Sequence, residues 1–230
     1  MPDAPRALML FAAGLGTRMA PLTRRRPKPL VEVAGKPLID HALDQAAGLG
    51  LAPILANTHY LAPMLEAHLA PRGVITLREA ELLDTGGGLK NALPQLPGEA
   101  VFTLNTDAVW TGPSPLATLA AHWDSGRMDA LLILVPRDRA LGHAGAGDFA
   151  LEGEGRLARG GGFVYGGAQI IARAAVEAVE GRVFSLNRVW DALAAKGRLC
   201  GVIHPGGWCD VGRPQSIALA EALLAEGGNG

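Results

Sequence analysis

Two glycines and two cations lie close together near the start of the chain. Gly14 and Gly16 come directly after an apolar, strand-sized run over residues 7–13. Arg18 and Lys28 follow them in the chain. Glycines at the end of a strand let backbone N–H groups approach an oxyanion closely. A triphosphate also needs cations, because it carries several negative charges. The segment therefore predicts a loop that binds the phosphates of a nucleotide.

Two common glycine-rich nucleotide motifs do not fit this segment. The dinucleotide fingerprint of nicotinamide enzymes needs a third glycine, where this chain has Met19, and an immediate helix, which the prolines within residues 21–29 prevent. The Walker pattern ends in Gly-Lys-Ser/Thr, but here the sequence is Gly35-Lys36-Pro37. For two glycines alone, a plain turn after a strand is the alternative interpretation. The cations and prolines at these spacings favour the phosphate-binding loop.

Two aspartates follow strand-like segments in different parts of the chain. Asp107 comes after the apolar run over residues 100–104, and Asp210 lies in a short strand-like piece over residues 207–212. Two carboxylates that face a triphosphate can hold Mg²⁺, which takes few protein ligands and completes its shell with phosphate oxygens and water. A helix cap at Asp107 and a turn residue at Asp210 are the alternatives. The pair is thus a candidate magnesium site.

Alternating apolar and amphipathic segments predict the framework that must position these residues. Strand-sized apolar runs, typical of strands buried on both faces, occupy residues 7–13, 52–57, 74–77, 100–104 and 130–135. Stretches at helical spacing occupy residues 38–47, 62–69, 87–93 and 115–122. This order predicts an α/β fold with a doubly wound, mostly parallel sheet of Rossmann-like type. In such sheets, ligands bind beyond the carboxyl ends of the strands.

The regular alternation ends after residue 135. Glycine-rich stretches border two segments, residues 149–151 and 163–171, that predict antiparallel strands. We predict a single domain over residues 1–230 in which a small antiparallel insertion, near residues 137–170, completes a pocket. Two further helices are expected near residues 186–196, with Asn187 as N-cap, and 213–225, with a strand over residues 199–203 between them. Residues 226–230 are expected to fray.

Composition restricts the partners of the chain. Hydrophobic residues make up 49% and charged residues 19%, and the net charge is −1, so no general basic field exists for nucleic acid. No apolar run reaches the roughly 18 residues that span a membrane, and the N-terminus has no signal-peptide layout. The only two cysteines, Cys200 and Cys209, suit a reducing compartment. We expect a cytoplasmic protein without nucleic-acid or membrane partners, and the sequence carries no signal for an oligomeric state.

The glycine-rich segment resembles the N-terminal signature of the sugar-1-phosphate nucleotidylyltransferases. The likeness runs almost position for position from Ala12-Ala13-Gly14 through Gly16-Thr17-Arg18, Pro21-Leu22-Thr23 and Pro27-Lys28-Pro29 to Gly35-Lys36-Pro37-Leu38-Ile39. Weaker similarity continues to the C-terminus. Within the family, the chain is most similar to short uridylyltransferases that act on N-acetylmuramate 1-phosphate in peptidoglycan recycling. The segments shared with them are Asp84-Thr85-Gly86-Gly87-Gly88, Gly147-Asp148-Phe149 and Trp208-Cys209-Asp210-Val211-Gly212.

The resemblance implies a role for each matching residue. The backbone at Ala12, Ala13 and Gly14 is expected to hold the base, Arg18 to reach the departing phosphates and Lys28 to contact the reacting ones. The nucleotide-binding residues implied in this way are Ala12, Ala13, Gly14, Gly16, Thr17, Arg18, Lys28, Gly87 and Asn105. Of these, Arg18 and Lys28 are the expected catalytic residues. Asp148 and Gly167 are expected at the sugar, and Asp107 and Asp210 at Mg²⁺.

The resemblance also implies a reaction, in which a nucleotidyl group passes from a nucleoside triphosphate, here UTP, to a sugar 1-phosphate and pyrophosphate is released. Many relatives that act on glucose or mannose phosphates carry a Glu-Lys-Pro segment, which is missing here between residues 138 and 163. Thr106 replaces the glycine that usually precedes the first metal aspartate. Guanylyl transfer to mannose 1-phosphate, transfer to another hexose 1-phosphate or to phosphocholine, and non-catalytic binding of a nucleotide sugar remain alternatives.

Overall fold

The computed structural model describes residues 4–227 and assigns them to strands and helices that alternate along most of the chain. The strands are β1 Leu8–Phe11, β2 Glu32–Val33, β3 Lys36–Pro37, β4 Ile54–Thr58, β5 Ile75–Arg78, β6 Ala100–Asn105, β7 Ala108–Trp110, β8 Ala130–Pro136, β9 Ala140–Leu141, β10 Phe149–Leu151, β11 Leu157–Arg159, β12 Phe163–Ala172, β13 Leu199–Ile203 and β14 Trp208–Asp210. The helices are α1 Leu38–Asp44, α2 Ala62–Leu69, α3 Asp84–Ala92, α4 Pro115–His122, α5 Arg173–Glu177, α6 Leu186–Ala194 and α7 Gln215–Gly227. Of the predicted frayed tail, residues 228–230 lie outside the described residues.

One nine-stranded sheet forms the centre of the fold. Strands β6, β1, β4 and β5 are neighbours in that order and run parallel to one another. The antiparallel strand β12 connects β6 to β8, and β13 lies parallel to β8. Short antiparallel strands β10 and β11 extend the sheet beyond β12. The prediction of an α/β fold with a mostly parallel sheet and a small antiparallel part is confirmed.

The parallel strands are mainly apolar, and β1 is buried on both of its faces. In β1, Leu8 and Leu10 belong to the core cluster on one face of the sheet, whereas Met9 belongs to the cluster on the other face. All three side chains are fully buried. Successive side chains of a strand point to opposite faces, so a run without polar residues needs helices on both sides. Burial of each such side chain contributes about 1.5–3 kcal/mol.

A second, three-stranded sheet is formed by β7, β14 and β9. Strand β14 runs antiparallel to β7 and parallel to β9. Its apolar side joins a third core cluster that includes Val109, Cys209 and Val211, against which residues of α7 pack. The two strands that carry or adjoin the predicted metal aspartates therefore belong to one small sheet.

The structure differs from the sequence-based prediction at several element boundaries. Strand β12, which was expected within the insertion near residues 137–170, is a long central strand with β6 and β8 on its two sides. Strand β1 ends at Phe11, because the next amide, that of Ala12, donates to the Asn57 side chain. The N-cap of α6 is Ser185, whose hydroxyl accepts from the amide of Asn187, so the prediction of Asn187 as the cap is wrong.

Across the described part of the chain, no helix is long and apolar enough to cross a membrane.

Candidate active site

A cavity of about 470 Å³ opens where the parallel strands end. Its wall is formed by segments that follow β1, β4, β5 and β6, together with the start of α3 and the turn at Lys28. The lining residues are Phe11, Ala12, Ala13, Gly14, Lys28, Pro29, Asn57, Glu79, Leu82, Asp84, Thr85, Asn105, Thr106 and Asp107. Parallel strands direct their carboxyl ends to one edge of a sheet, which is where α/β proteins bind ligands. The cavity unites Ala12, Ala13, Gly14, Lys28, Asn105 and Asp107 of the predicted site.

Gly14 and Gly16 are suited to glycine for different structural reasons. A Cβ atom on Gly14 would have no heavy atom of the described residues within 4 Å, so its position faces open space at the cavity. Gly16 has a φ of +63°, and a Cβ atom there would lie 2.9 Å from Cβ of Lys28 and 3.0 Å from Cγ2 of Thr23. Gly14 therefore leaves room for a ligand, whereas Gly16 lets the loop turn and lets the Lys28 stem approach it.

A buried polar network supports the floor of the cavity, and sequence reasoning missed it. Asn57 Oδ1 accepts from the Ala12 amide at 2.8 Å, and Asn57 Nδ2 donates to Glu79 Oε1 at 2.7 Å. The other oxygen of Glu79 accepts from the amide of Leu83 at 3.2 Å. Asn57 and Glu79 are only 4% and 5% exposed. Their positions just at or after the ends of β4 and β5 are the signal that could have identified them.

The same network changes the assignment of the loop amides. The Ala12 N–H already donates to Asn57, so this amide holds the end of β1 against β4 in the present structure. The Ala12 amide therefore does not serve as the expected backbone donor to the base, because it donates to Asn57 instead. Ala13 and Gly14 continue along the cavity wall beyond it. Of the expected loop donors, these are the two whose amides the network does not use.

Lys28 meets the first of the predicted metal aspartates. Its Nζ atom donates to Asp107 Oδ2 at 2.8 Å, and the side chains are 12% and 35% exposed. Lys28 begins a short 3₁₀ turn over Lys28–Leu30, which places it opposite the end of β6. A partly buried, charge-assisted contact of this kind orders both side chains at the cavity wall.

The small sheet brings the second aspartate to the first. In the antiparallel pairing of β14 with β7, Asp210 lies opposite Ala108, the residue after Asp107. The amide of Val211 donates to the backbone carbonyl of Asp107 at 2.8 Å, so the two aspartates are held by adjacent backbone segments. Neither a capping role for Asp107 nor a turn role for Asp210 describes these positions, because Asp210 is the last residue of β14 and Asp107 connects β6 to β7.

The electrostatic surroundings of Asp210 are those of a carboxylate in a shared anionic site. Burial raises the pKa of Asp210 above its ordinary value, and the negative charge of Asp107 raises this pKa further. The positive charges of Lys28, Arg18 and His143 act in the opposite direction. Two carboxylates and three basic side chains therefore lie close enough to influence one another, an arrangement that suits a polyanionic ligand with a cation.

The donor set fits a hard divalent cation that is also coordinated by phosphate. Among residues 4–227, no group of three or more His, Cys, Asp or Glu side chains could enclose a metal ion. Asp107 and Asp210 supply oxygen donors only, and burial together with the charge of Asp107 raises the pKa of Asp210. Mg²⁺ keeps waters and takes one or two carboxylates plus phosphate oxygens. The observed pair meets this requirement without a closed protein cage.

Asn105 and Thr106 connect the strand end to its neighbours. Asn105 lines the cavity, and a Cβ atom on Gly167 would lie 3.0 Å from its Cβ and Nδ2 atoms. Thr106 Oγ1 donates to the Phe11 carbonyl at 2.8 Å. The threonine that replaces the usual glycine therefore ties the end of β6 to the end of β1.

Several of the predicted nucleotide-binding residues are not among the described residues that line the cavity. Arg18, Gly16 and Thr17 belong to the adjacent loop, and Arg18 is exposed although its charge acts on Asp210. Gly87 lies inside α3, where a Cβ atom would meet the Arg182 carbonyl oxygen at 2.1 Å. The structure thus places Gly87 at a packing contact rather than at the cavity, whose wall includes Asp84 and Thr85 from the same segment.

Asp148 lies in the antiparallel region beside β12. Its Oδ2 atom accepts from the amide of Tyr165 at 2.8 Å, and its backbone amide donates to the Phe163 carbonyl at 2.7 Å. One carboxylate oxygen therefore holds the hairpin together. The lining of the cavity, as described above, does not include Asp148 or Gly167, although Gly167 packs directly on the lining residue Asn105.

Comparison with known proteins identifies the family of the chain. Residues 8–222 match the MobA-like NTP transferase domain. The N-acetylmuramate alpha-1-phosphate uridylyltransferase of Caulobacter vibrioides is 43% identical over 98% of this chain and 100% of its own length. The enzyme of the same name from Neisseria meningitidis is 31% identical over 94% of this chain and 96% of its own length.

Among solved structures, the inositol-1-phosphate CTP transferase from T. maritima has the same fold. Its TM-score is 0.80 over 99% of this chain and 98% of that chain, at 15% identity. The phosphate-binding signature, the paired aspartates and the near full-length similarity lead to one assignment: the chain belongs to the family of MobA-like NTP transferase domains, and within it to the sugar-1-phosphate nucleotidyltransferases.

Proposed function

We propose that this enzyme transfers the uridylyl group of UTP to N-acetylmuramate α-1-phosphate, giving UDP-N-acetylmuramate and pyrophosphate, in peptidoglycan recycling. The near full-length relative at 43% identity supports the choice of base and sugar. The observation that carries the reaction type is the contact of Lys28 with Asp107 in the cavity wall, beside the backbone segment that holds Asp210. Cytoplasmic location is part of the same proposal, because UTP is a substrate.

The reaction needs no general base. A sugar phosphate carries a second negative charge near neutral pH, since its second pKa is about 6. One of its oxygens attacks the α-phosphorus of UTP and forms the new P–O bond. The bond from that phosphorus to the oxygen that bridges to the β-phosphate breaks, and pyrophosphate leaves with the electron pair. No proton has to move, so the enzyme acts by positioning and by stabilising charge.

The residues of the site divide this work. Lys28 lies at the cavity wall next to Asp107, where its ammonium group stabilises the charge of the reacting phosphates. Arg18 binds the departing pyrophosphate together with amides of the glycine-rich loop, while the backbone of Ala13 and Gly14 holds the base. Asp107 and Asp210 are the residues that would hold Mg²⁺, which supplies positive charge to the phosphate oxygens when bound.

The acceptor side is proposed to lie along the β12 bulge. Gly167 packs on Asn105, and Asp148 holds the neighbouring hairpin. The acceptor carries a lactyl ether at its 3-position, so a pocket for it needs space beside the sugar ring. Gly160 and Gly162, where an added Cβ atom would meet no described heavy atom within 4 Å, are the residues proposed to leave that space. The missing Glu-Lys-Pro segment agrees with an acceptor other than glucose or mannose 1-phosphate.

Pyrophosphate release across a grid of nucleotides and sugar phosphates tests the proposal. UTP with N-acetylmuramate α-1-phosphate is expected to give the highest kcat/KM, about 10-fold or more above glucose 1-phosphate, because a pocket discriminates by roughly 1–3 kcal/mol per lost contact. A higher kcat/KM with GTP and mannose 1-phosphate, or with CTP and phosphocholine, would replace this substrate pair by the alternative. Binding of the nucleotide sugar without turnover of any pair would identify a non-catalytic binding protein.

A further inference from the structure

Two buried tryptophans, Trp208 and Trp190, donate hydrogen bonds to strand β12. The Trp208 Nε1 atom donates to the Gly166 carbonyl at 2.8 Å, and Trp190 Nε1 donates to Gln169 Oε1 at 2.9 Å. The two residues are 5% and 7% exposed. Trp208 belongs to the core cluster on one face of the sheet and Trp190 to the cluster on the other. The same strand is therefore held from both faces by indole N–H groups.

The Trp208 contact falls on an irregular part of β12. Opposite β8, Tyr165 pairs with Leu134 and Gln169 pairs with Leu132, so four steps along β12 match two steps along β8. Gly167, inside this bulge, has a φ of +94°. Bulges disrupt the hydrogen-bond ladder locally and redirect the strand. The indole N–H provides a donor to a backbone carbonyl at the point where the ladder is irregular.

The bulge adjoins the active site. A Cβ atom on Gly167 would lie 3.0 Å from Asn105, whose side chain lines the cavity two residues before Asp107. On the other side, a Cβ atom on Gly166 would lie 2.8 Å from the Trp110 ring. A shift of the bulge toward β6 would therefore displace Asn105, because Gly167 already packs closely against the Asn105 side chain.

Trp208 also shares a short strand with a predicted metal ligand. It lies in β14 two residues before Asp210, opposite Trp110 of β7. The Trp110 and Trp208 rings pack edge to face, with centroids 6.3 Å apart. One strand thus carries both the carboxylate of Asp210 and the indole that donates to the bulge, so the two parts of the site are joined through the three residues of β14.

We propose that Trp208 is a positioning residue that aligns the acceptor side of the active site, at Gly167 and Asn105, with the carboxylate of Asp210. This inference rests on the proposed function, in which the sugar phosphate binds along the bulge. Trp208 does not touch the reacting atoms; it acts through the Gly166 carbonyl. Loss of its N–H therefore affects the acceptor more than the nucleotide, whose loop is held separately by Asn57.

The test compares Trp208→Phe with Trp190→Phe in the full-length enzyme, by steady-state kinetics for each substrate in turn and by thermal unfolding. Each change removes one buried indole N–H that donates to β12 and retains an aromatic ring. Trp208→Phe is expected to lower kcat/KM for the sugar phosphate by about 10-fold or more, since small misplacements of a substrate cost up to about 10²-fold. Its KM for the nucleotide should stay within about twofold of the wild-type value. Trp190→Phe should keep both parameters near wild type.

A second variant covers the case in which Trp208→Phe does not fold. Gly167→Ala strains the same bulge at its left-handed position, and it should show the same selective loss for the acceptor. Equal kinetic losses in Trp208→Phe and Trp190→Phe, or a loss that affects both substrates alike, would assign Trp208 to stability alone. The assay uses whichever substrate pair the wild type turns over fastest, so a different sugar leaves the inference intact. Absence of wild-type turnover with every pair would overturn the proposed function and this inference with it.

Discussion

Lys28 Nζ lies 2.8 Å from Asp107 Oδ2, although the two residues are 79 positions apart in the chain. The cation follows the glycine-rich loop, and the carboxylate follows the neighbouring strand β6, which pairs with β1. Their contact places a positive charge beside the metal-binding candidate.

Lys28 should matter for turnover more than for nucleotide affinity. We expect Lys28→Ala to lower kcat by about 10²-fold, because a charge that acts on the reacting phosphates typically contributes roughly 3 kcal/mol to the transition state. Lys28→Arg should restore only part of the rate, since a planar guanidinium cannot replace a compact ammonium at this position. Steady-state kinetics distinguish the cases, and an increase in KM with unchanged kcat would make Lys28 an anchor for the nucleotide only.

The paired aspartates predict dependence on a divalent cation. EDTA should abolish pyrophosphate release, and added Mg²⁺ should restore it. Asp107→Asn and Asp210→Asn should each lower kcat by about 10²-fold or more. Asp129→Asn offers a matched control, because this aspartate pairs with Arg198 away from the cavity and should leave kcat unchanged. Full activity in excess chelator, or near-normal rates in both site variants, would contradict the metal assignment.

Asp210 should destabilise the metal-free protein at neutral pH. Burial and the charge of Asp107 raise its pKa in the folded state above the ordinary value. A group with a raised folded-state pKa contributes stability that is present below the unfolded pKa and lost as the pH rises through the folded one. Asp210→Asn should therefore raise the Tm of the metal-free protein at pH 7 while it lowers activity. The Tm difference should shrink as the pH falls toward the ordinary aspartate range, and a lower Tm of the variant at pH 7 would argue against repulsion at this site.

The two loop glycines should respond differently to alanine. Gly14→Ala places a methyl group into open space at the cavity, so the Tm should stay unchanged while KM for the nucleotide rises about 10-fold or more. Gly16→Ala forces a left-handed residue, at a cost of about 1–2 kcal/mol, and brings a methyl group against the Lys28 stem. It should lower both the Tm and kcat. Thermal unfolding and steady-state kinetics together separate the two effects. A lower Tm for Gly14→Ala, or a higher nucleotide KM only for Gly16→Ala, would contradict the assignment of Gly14 to the ligand and Gly16 to the turn.

Asn57 should support the nucleotide loop through its two hydrogen bonds. Asn57→Ala leaves the Ala12 amide and one Glu79 oxygen without this partner, and each such loss in a buried site costs about 1–3 kcal/mol. We expect a lower free energy of unfolding and a higher KM for the nucleotide. Asn57→Asp should be worse than Asn57→Ala in denaturant unfolding at neutral pH, because it places a second carboxylate beside Glu79. Equal stability of all three proteins would mean that water replaces the side chain without loss.

Local sequence predicted several of the residues that the structure places at the cavity, among them Gly14, Lys28 and Asp107. The glycines, Lys28 and Asp107 could be predicted because small residues, cations and carboxylates follow strand-sized apolar runs, and parallel strands direct their ends to one edge. The alternation of apolar and amphipathic segments likewise predicted the parallel part of the sheet, since strands buried on both faces are predominantly apolar. These inferences need only residues that are near one another in the chain.

Contacts between distant segments required the folded chain. The Ala12 amide meets Asn57 across 45 residues because β4 lies beside β1. Asp210 reaches Asp107 because β14 pairs with β7, strands too short for any periodic pattern to reveal. The family resemblance had already named Asp107 and Asp210 as partners, but the sheet that joins them could not be read from the residues alone.

The sequence therefore determined which residues could bind phosphates and a cation, whereas strand order and register decided which of them meet. Gly87 illustrates the difference: the resemblance implied that it binds the nucleotide, but α3 packs it against the Arg182 backbone. Side-chain chemistry is a property of each residue, so it can be read from the sequence. The distance between two side chains depends on strand pairing and on the packing free energy of the whole core. Neither of these can be predicted from a local sequence pattern.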